Sequence, residues 1–104
     1  MAELVLENTI YAQSGSSELS PFIVRIFRPE PFPDGGGFEC RVEMSHKPRP
    51  FGVGGADPLQ ALVLAISYLH IEFQWLAERG WHFSFDPGAS ESFDPASAYF
   101  PTRG

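Results

Sequence analysis

Hydrophobic residues alternate with polar ones along three segments of the N-terminal half, which is the period of β-strands. Residues 14–17 and 29–37 between these segments are rich in Gly, Pro and Ser and favour hairpin connections. A fourth strand is predicted over Arg49–Val53, where Pro48 and Pro50 restrict it to a sheet edge. The three main predicted strands are Glu3–Tyr11, Phe22–Arg28 and Phe38–Met44.

Alternate side chains of these strands are expected to point into the core, because successive residues of a strand face opposite sides of the sheet. Charged residues occupy most of the intervening positions. Glu39 and Glu43 flank Arg41, and with Arg25 or Glu7 opposite them on neighbouring strands, cross-strand charge pairing is expected. The predicted inward positions are Leu4, Leu6, Ile10, Phe22, Val24, Ile26, Phe38, Cys40, Val42 and Met44.

A long helix, labelled α1, is predicted from Asp57 to Gly80. Asp57 is a good N-cap, and Pro58 suits the first helical position because its missing N–H costs nothing there. Gln60 stands three residues after the cap, as in a capping box. Gly80 supplies the left-handed residue that commonly ends a helix.

The helix has two apolar faces when its residues are placed about 100° apart. Ala61 and Ala65 lie on a narrow strip between these faces. The face predicted to be the core comprises Leu59, Leu62, Ile66, Leu69, Phe73 and Leu76. The second face, named here the α1 stripe, comprises Leu64, Tyr68, Ile71 and Trp75. Exposing side chains of this size forgoes on the order of 1.5–3 kcal/mol each, so the stripe is expected to be covered.

After the helix, Trp81, Phe83 and Phe85 alternate with polar residues and predict a last strand. The order β-β-β-(β)-α-β predicts an α+β fold, with an antiparallel sheet of four or five strands and one long helix packed across one face. Residues 1–86 are predicted to form a single domain, and 87–104 an aromatic tail rich in Pro and Ser.

Composition narrows the classes of function. The formal charge of −6 argues against nonspecific nucleic-acid binding, which usually requires a basic face. No signal segment is apparent at the N-terminus, and polar residues interrupt the apolar stretch 59–77, so we expect a soluble, cytoplasmic protein that does not enter a membrane. A single cysteine excludes an internal disulfide.

No catalytic, cofactor-binding or metal-binding residue is predicted. The glycines of residues 52–56 precede a helix, but no Lys-Ser/Thr follows, and Asp57 would repel a phosphate. The histidines lack the spacing of metal ligands. Cys40 lies among inward positions, which predicts a buried, inert thiol.

The run Gly52-Val-Gly-Gly-Ala-Asp57-Pro-Leu-Gln60-Ala-Leu-Val-Leu-Ala65, with a Trp after the helix and a Cys on the preceding strand, resembles a family of small bacterial proteins of unknown function. The helix-start motif of this resemblance is Gly55-x-Asp57-x-x-Gln60-Ala61-Leu62-x-Leu64-Ala65. The resemblance spans residues 3 to 85. It implies a fold and no activity.

The α1 stripe is the basis of the functional hypothesis. One interpretation is a homodimer in which two such helices pack about a two-fold axis, with Ala61 and Ala65 permitting close approach. The other is that the tail, Phe93 to Phe100, folds over the stripe within one chain. The predicted function is a non-enzymatic module that self-associates or binds another protein.

Two alternatives remain open at this stage. An acidic chain of this size suits an immunity or antitoxin-like protein that neutralises a basic partner. An enzyme with a site assembled from scattered residues is the other, with His70 and Glu78 on the polar side of the helix as candidates; it requires a concave pocket.

Overall fold

The computed structural model describes residues 3–15 and 17–100. The fold is α+β, as predicted, with an antiparallel sheet and one long helix. The strands are β1 (Leu4–Ser14), β2 (Ser20–Phe27), β3 (Glu30–Pro31), β4 (Phe38–Met44), β5 (Phe51–Gly55), β6 (Trp81–Ser84) and β7 (Ser92–Phe93), and the helices are α1 (Pro58–Glu78) and α2 (Pro95–Tyr99).

The prediction of four or five strands was too low, because the described residues form a sheet of seven. The two additional strands, β3 and β7, have two residues each and are too short to produce an alternating pattern. The predicted fourth strand is present as β5, two residues further along the chain than expected.

The chain divides into two compact units, and β1, β2 and α1 each run through both. The first unit contains residues 1–8 and 23–67, and its strand order is β3-β4-β2-β1, with β5 also paired to β4. The second contains residues 9–22 and 68–104, with the order β2-β1-β6-β7.

In the first unit, β2 and β3 lie one after the other along the same strand, β4. Three residues lie between Ile26 and Glu30, whereas two lie between their partners Val42 and Glu39. The extra residue is a β-bulge, which interrupts the ladder of hydrogen bonds. The thiol of Cys40 donates to the carbonyl oxygen of Phe27 at this point, at 3.4 Å.

The ends of α1 follow the predicted capping. The Asp57 carboxylate accepts from the backbone N–H of Gln60 at 2.7 Å, and the Gln60 side chain accepts from the N–H of Ala56 at 2.6 Å. At the other end Gly80 has φ of +86°, and its N–H donates to the carbonyl of Ala77. These contacts satisfy backbone groups that a helix terminus leaves without partners.

The core face of α1 differs from the predicted one. Leu59 is 69% exposed and Ile66 is also exposed, so their assignment to the core was wrong. Ala61 and Ala65 are instead fully buried, which excludes them from the close approach of two subunits that the sequence suggested. The buried residues of α1 are Ala61, Ala65, Leu69, Phe73 and Leu76.

A close contact in the first unit explains this rotation of the helix. A Cβ atom added to Gly55 would collide with the backbone nitrogen of Ala61 and lie 2.7 Å from its Cα atom. The backbone of β5 therefore rests directly on the first turns of α1. Only small residues fit in such a contact, so the face that carries Ala61 and Ala65 turns inward, and Leu59 and Ile66 of the predicted face turn outward.

In the second unit, the core consists of aromatic rings. Phe73 lies 6.0 Å from Phe22 and 5.6 Å from Phe83, measured between ring centroids. Phe22 also packs edge-on against Phe83 at 5.4 Å. Separations and edge-to-face angles of this kind are favourable for aromatic pairs, and they anchor the C-terminal half of α1 on the sheet.

The inward positions of β1 are only partly buried. Ile10 is buried as predicted, but Leu4 and Leu6 are exposed, so the prediction for these two was wrong. Every residue from Glu3 to Thr9 is exposed.

We expect Gly55→Ala to destabilise the protein by about 1–3 kcal/mol, because the methyl group must displace the backbone of α1. Gly54→Ala is the matched control, since a Cβ there meets Phe32 at an ordinary 3.7 Å. Urea denaturation followed by circular dichroism measures both. Equal midpoints for the two variants would contradict the close contact.

Candidate functional site

The α1 stripe lies largely in solvent. Ile71 is 60% exposed, Leu64 and Trp75 are each more than two-fifths exposed, and Tyr68 is half-buried. A continuous helix carries all four, so their relative positions are set by helical geometry alone. Large apolar side chains grouped in this way are typical of a surface that binds another protein.

One charged side chain accompanies the stripe. The guanidinium carbon of Arg79 lies 3.8 Å from the centroid of the Trp75 ring. A cation over an indole face is attracted by the negative charge of the ring and contributes about 0.5–1 kcal/mol at an exposed site. This contact orients the Trp75 ring but leaves a large part of it accessible to solvent.

The aromatic tail packs on a different side of α1. The ring of Phe100 stacks on His70, with centroids 4.6 Å apart and planes within 9°, and Tyr99 lies 6.2 Å from Phe73. Among the described residues, the tail therefore covers the side that carries His70 and leaves Ile71 and Trp75 exposed. Residues 101–104 of the predicted tail lie outside the described part of the chain.

A third apolar group on α1 was missed by the sequence reasoning. Leu59, Val63 and Ile66 are all exposed on the N-terminal half of the helix. Their spacing matched a core face, so periodicity could not identify them as surface residues. Gly55 could have indicated that these residues are exposed, because a glycine in a strand often marks a place where another backbone approaches closely.

A polar cleft of about 390 Å³ lies between the C-terminal half of α1 and the tail. It contains His70 and Glu78, the pair considered as catalytic candidates, together with Asp94 and Ser97. His70 and Glu78 are eight residues apart on the helix, or about 12 Å along its axis, which is too far for a hydrogen bond between them.

The remaining polar groups of this cleft hold the short helix α2 in place. The Asp94 carboxylate accepts from the N–H of Ala96 at 3.1 Å and from the hydroxyl of Ser97 at 3.2 Å. Within the described residues, Ser97 donates to Asp94 and makes no hydrogen bond with His70, the pairing that would activate a serine nucleophile. Asp94 and Ser97 therefore cap the N-terminus of α2.

The charged groups on the outer face of the sheet pair across strands, as predicted. Arg25 donates to Glu7 at 2.6 Å and to Glu43 at 3.2 Å, and these bonds raise the pKa of the Arg25 guanidinium. Burial raises the pKa of the Cys40 thiol, which disfavours the reactive thiolate. The described residues contain no group of three or more His, Cys, Asp or Glu side chains that could hold a metal ion.

By length and composition alone, α1 could also cross a membrane. The core helix of a soluble protein passes the same test. The exposed apolar residues, rather than the core face, give α1 its unusual hydrophobicity.

Comparison with protein families gives one match, to a domain of unknown function, DUF6968, over residues 11–83. The chain belongs to the DUF6968 family. The match begins within β1 and ends within β6, so it includes the whole of α1 and excludes β7 and α2. No curated protein matches the chain, and no solved structure matches it.

A loop centred on Asp86 joins the DUF6968 region to the tail. Its carboxylate accepts hydrogen bonds from the hydroxyls of Ser84 and Ser90, at 2.8 and 2.7 Å, and from the backbone N–H of Glu91 at 3.1 Å. These bonds favour the ionised form and hold the pKa of Asp86 well below its usual range. The loop directs Phe93 back onto Phe85, where the rings stack 3.8 Å apart.

We expect Asp86→Asn to destabilise the protein at neutral pH, and the difference from the wild type to shrink as the pH falls. A carboxyl whose pKa is lower in the folded state stabilises the fold above its unfolded pKa, near 4, and this contribution is lost as the pH falls toward the folded value. Denaturation midpoints between pH 7 and 3 measure the effect. Glu91→Gln, which removes a neighbouring carboxyl, is the control; a parallel pH dependence for Asp86→Asn and wild type would contradict the assignment.

Proposed function

We propose that this chain is a non-enzymatic protein-interaction module that self-associates through the α1 stripe. The observation that carries the proposal is the exposure of Leu64, Ile71 and Trp75 on one continuous helix. The tail packs against His70 and Phe73 instead, so the described part of the same chain does not supply the cover.

The spacing of the stripe suits a second copy of the chain. Its residues are separated by four, three and four positions, which is the same in both directions. Two antiparallel α1 helices related by a two-fold axis would place Leu64 opposite the partner's Trp75, and Tyr68 opposite the partner's Ile71. A self-complementary surface of this kind is what a two-fold dimer requires.

The size of the surface predicts a reversible association. The exposed parts of Leu64, Ile71 and Trp75 would each contribute about 1 kcal/mol on burial, since these side chains are already roughly half-covered. Both copies contribute, so the gross gain is about 6 kcal/mol. This lies near the lower end of the 4–15 kcal/mol that association costs, so contacts at the rim, such as Arg79, must add to it.

We expect Ile71→Glu to halve the mass of the assembly, because a carboxylate would be buried without a partner at the centre of the interface. Trp75→Glu is expected to do the same. Light scattering across a concentration series measures the mass. Gln74→Glu is the matched control, since it adds the same charge one turn away on the exposed polar side of α1.

Circular dichroism must show the wild-type fold for all three variants, which is expected because the substituted positions are exposed. A wild type whose mass does not change with concentration and equals that of one chain would disprove the proposal. So would a mass for Ile71→Glu equal to that of Gln74→Glu.

A further inference from the structure

The first half of β1 is an open edge of the sheet. β2 lies on one side of β1, and the backbone N–H of Arg28 donates to the carbonyl of Glu3 at 2.6 Å. On the other side, β6 pairs with β1 only from Tyr11 to Ser14. Within the described residues, Leu4–Glu7 therefore has no strand beside it on that side.

This edge has little protection against pairing with another chain. Exposed edge strands are normally blunted by charged side chains, lysine above all, by proline or by a bulge, and here only Glu3 and Glu7 at the ends of the segment are charged. The segment Leu4–Glu7 contains no lysine or proline, and its three apolar side chains are exposed, with Val5 at 53%. An alternating strand normally buries one face, but here Leu4 and Leu6 on one face and Val5 on the other are all accessible.

The sequence of the edge reads the same in both directions, as Glu3-Leu4-Val5-Leu6-Glu7. If two copies pair antiparallel about Val5, each Leu4 lies opposite the partner's Leu6 and the two Val5 residues lie opposite each other. Apolar side chains that face each other across a strand pair stabilise it by roughly 0.2–1 kcal/mol each. The symmetry of the segment thus matches the symmetry of such a pair.

The same register would place Glu3 opposite the partner's Glu7, and like charges at such positions normally destabilise a pair. Here both carboxylates already have counter-ions within their own chain. Glu7 lies 2.6 Å from the Nε atom of Arg25, and Glu3 lies 3.7 Å from the Nη1 atom of Arg28. Each glutamate of the pair would therefore arrive with an arginine of its own chain beside it, although Arg25 is shared with Glu43.

We propose that Glu3–Glu7 is a strand-pairing surface for a second copy of this chain, which joins two sheets edge to edge about a two-fold axis at Val5. This contact is independent of the α1 stripe and belongs to a different face. A chain that uses both two-fold contacts assembles beyond a dimer, either as a closed tetramer or as an open array.

Cysteine cross-linking tests the register. In the proposed pair the Cβ atoms of the two Val5 residues lie about 4.5–5.5 Å apart, within reach of a disulfide after a small adjustment. Two Leu4 residues are offset by two positions, or roughly 6–7 Å along the strands, and do not face each other. Under mild oxidation we expect Val5→Cys to give a disulfide-linked dimer as the main product and Leu4→Cys to remain monomeric on a non-reducing gel.

Two controls make the result specific. An equimolar mixture of Leu4→Cys and Leu6→Cys should cross-link, because these positions face each other, whereas each variant alone should not. The wild type provides the baseline, since its only cysteine, Cys40, is fully buried. Equal cross-linking of Val5→Cys and Leu4→Cys, or none for either, would overturn the proposal.

Light scattering gives a second readout that separates this contact from the α1 stripe. Val5→Lys should lower the mass to that of two chains in the wild-type background, and to that of one chain in the Ile71→Glu background, where the edge contact alone remains. Thr9→Lys is the control, because Thr9 is an exposed β1 residue outside the symmetric segment. If Val5→Lys leaves the mass unchanged in both backgrounds, the edge contact is wrong whether or not the stripe self-associates.

Discussion

The contact between Gly55 and the first turns of α1 determines how the rest of the helix is presented. Because the strand backbone at Gly55 lies directly on Ala61, only small residues can occupy that side of the helix, and Ala65 continues the same face one turn later. Helical geometry then fixes the direction in which every other side chain of α1 leaves the helix axis. The helix buries Ala61 and Ala65 in its N-terminal half and Leu69, Phe73 and Leu76 in its C-terminal half, and its other large aliphatic residues are left on its flanks.

This arrangement is unusual in its use of hydrophobic residues. A helix with a full apolar stripe normally buries its largest aliphatic side chains in the core. In α1, Leu59, Val63 and Ile66 lie on one flank and Leu64, Ile71 and Trp75 on the other, all exposed. The two proposed interaction surfaces, the α1 stripe and the edge of β1, both consist of apolar residues that the described part of the fold does not bury.

Local chemistry allowed the sequence to predict the boundaries of the fold. The caps at Asp57 and Gly80 and the alternation in Phe38–Met44 depend on neighbouring residues, so they could be recognised from spacing alone. The rotation of α1 could not, because it depends on a contact with β5 rather than on the period of the helix. The exposure of Leu4 and Leu6 depends in the same way on tertiary packing over their face, which no pattern within β1 records.

The stacking of Phe100 on His70 has a consequence for following the tail in solution. Protons above the face of an aromatic ring resonate at lower frequency because of the ring current, and the imidazole lies 4.6 Å from the Phe100 centroid in a nearly parallel plane. The chemical shifts of the His70 ring protons therefore report on whether the tail is docked. The position of one histidine makes the exchange between docked and undocked tail accessible to NMR without a label on either segment.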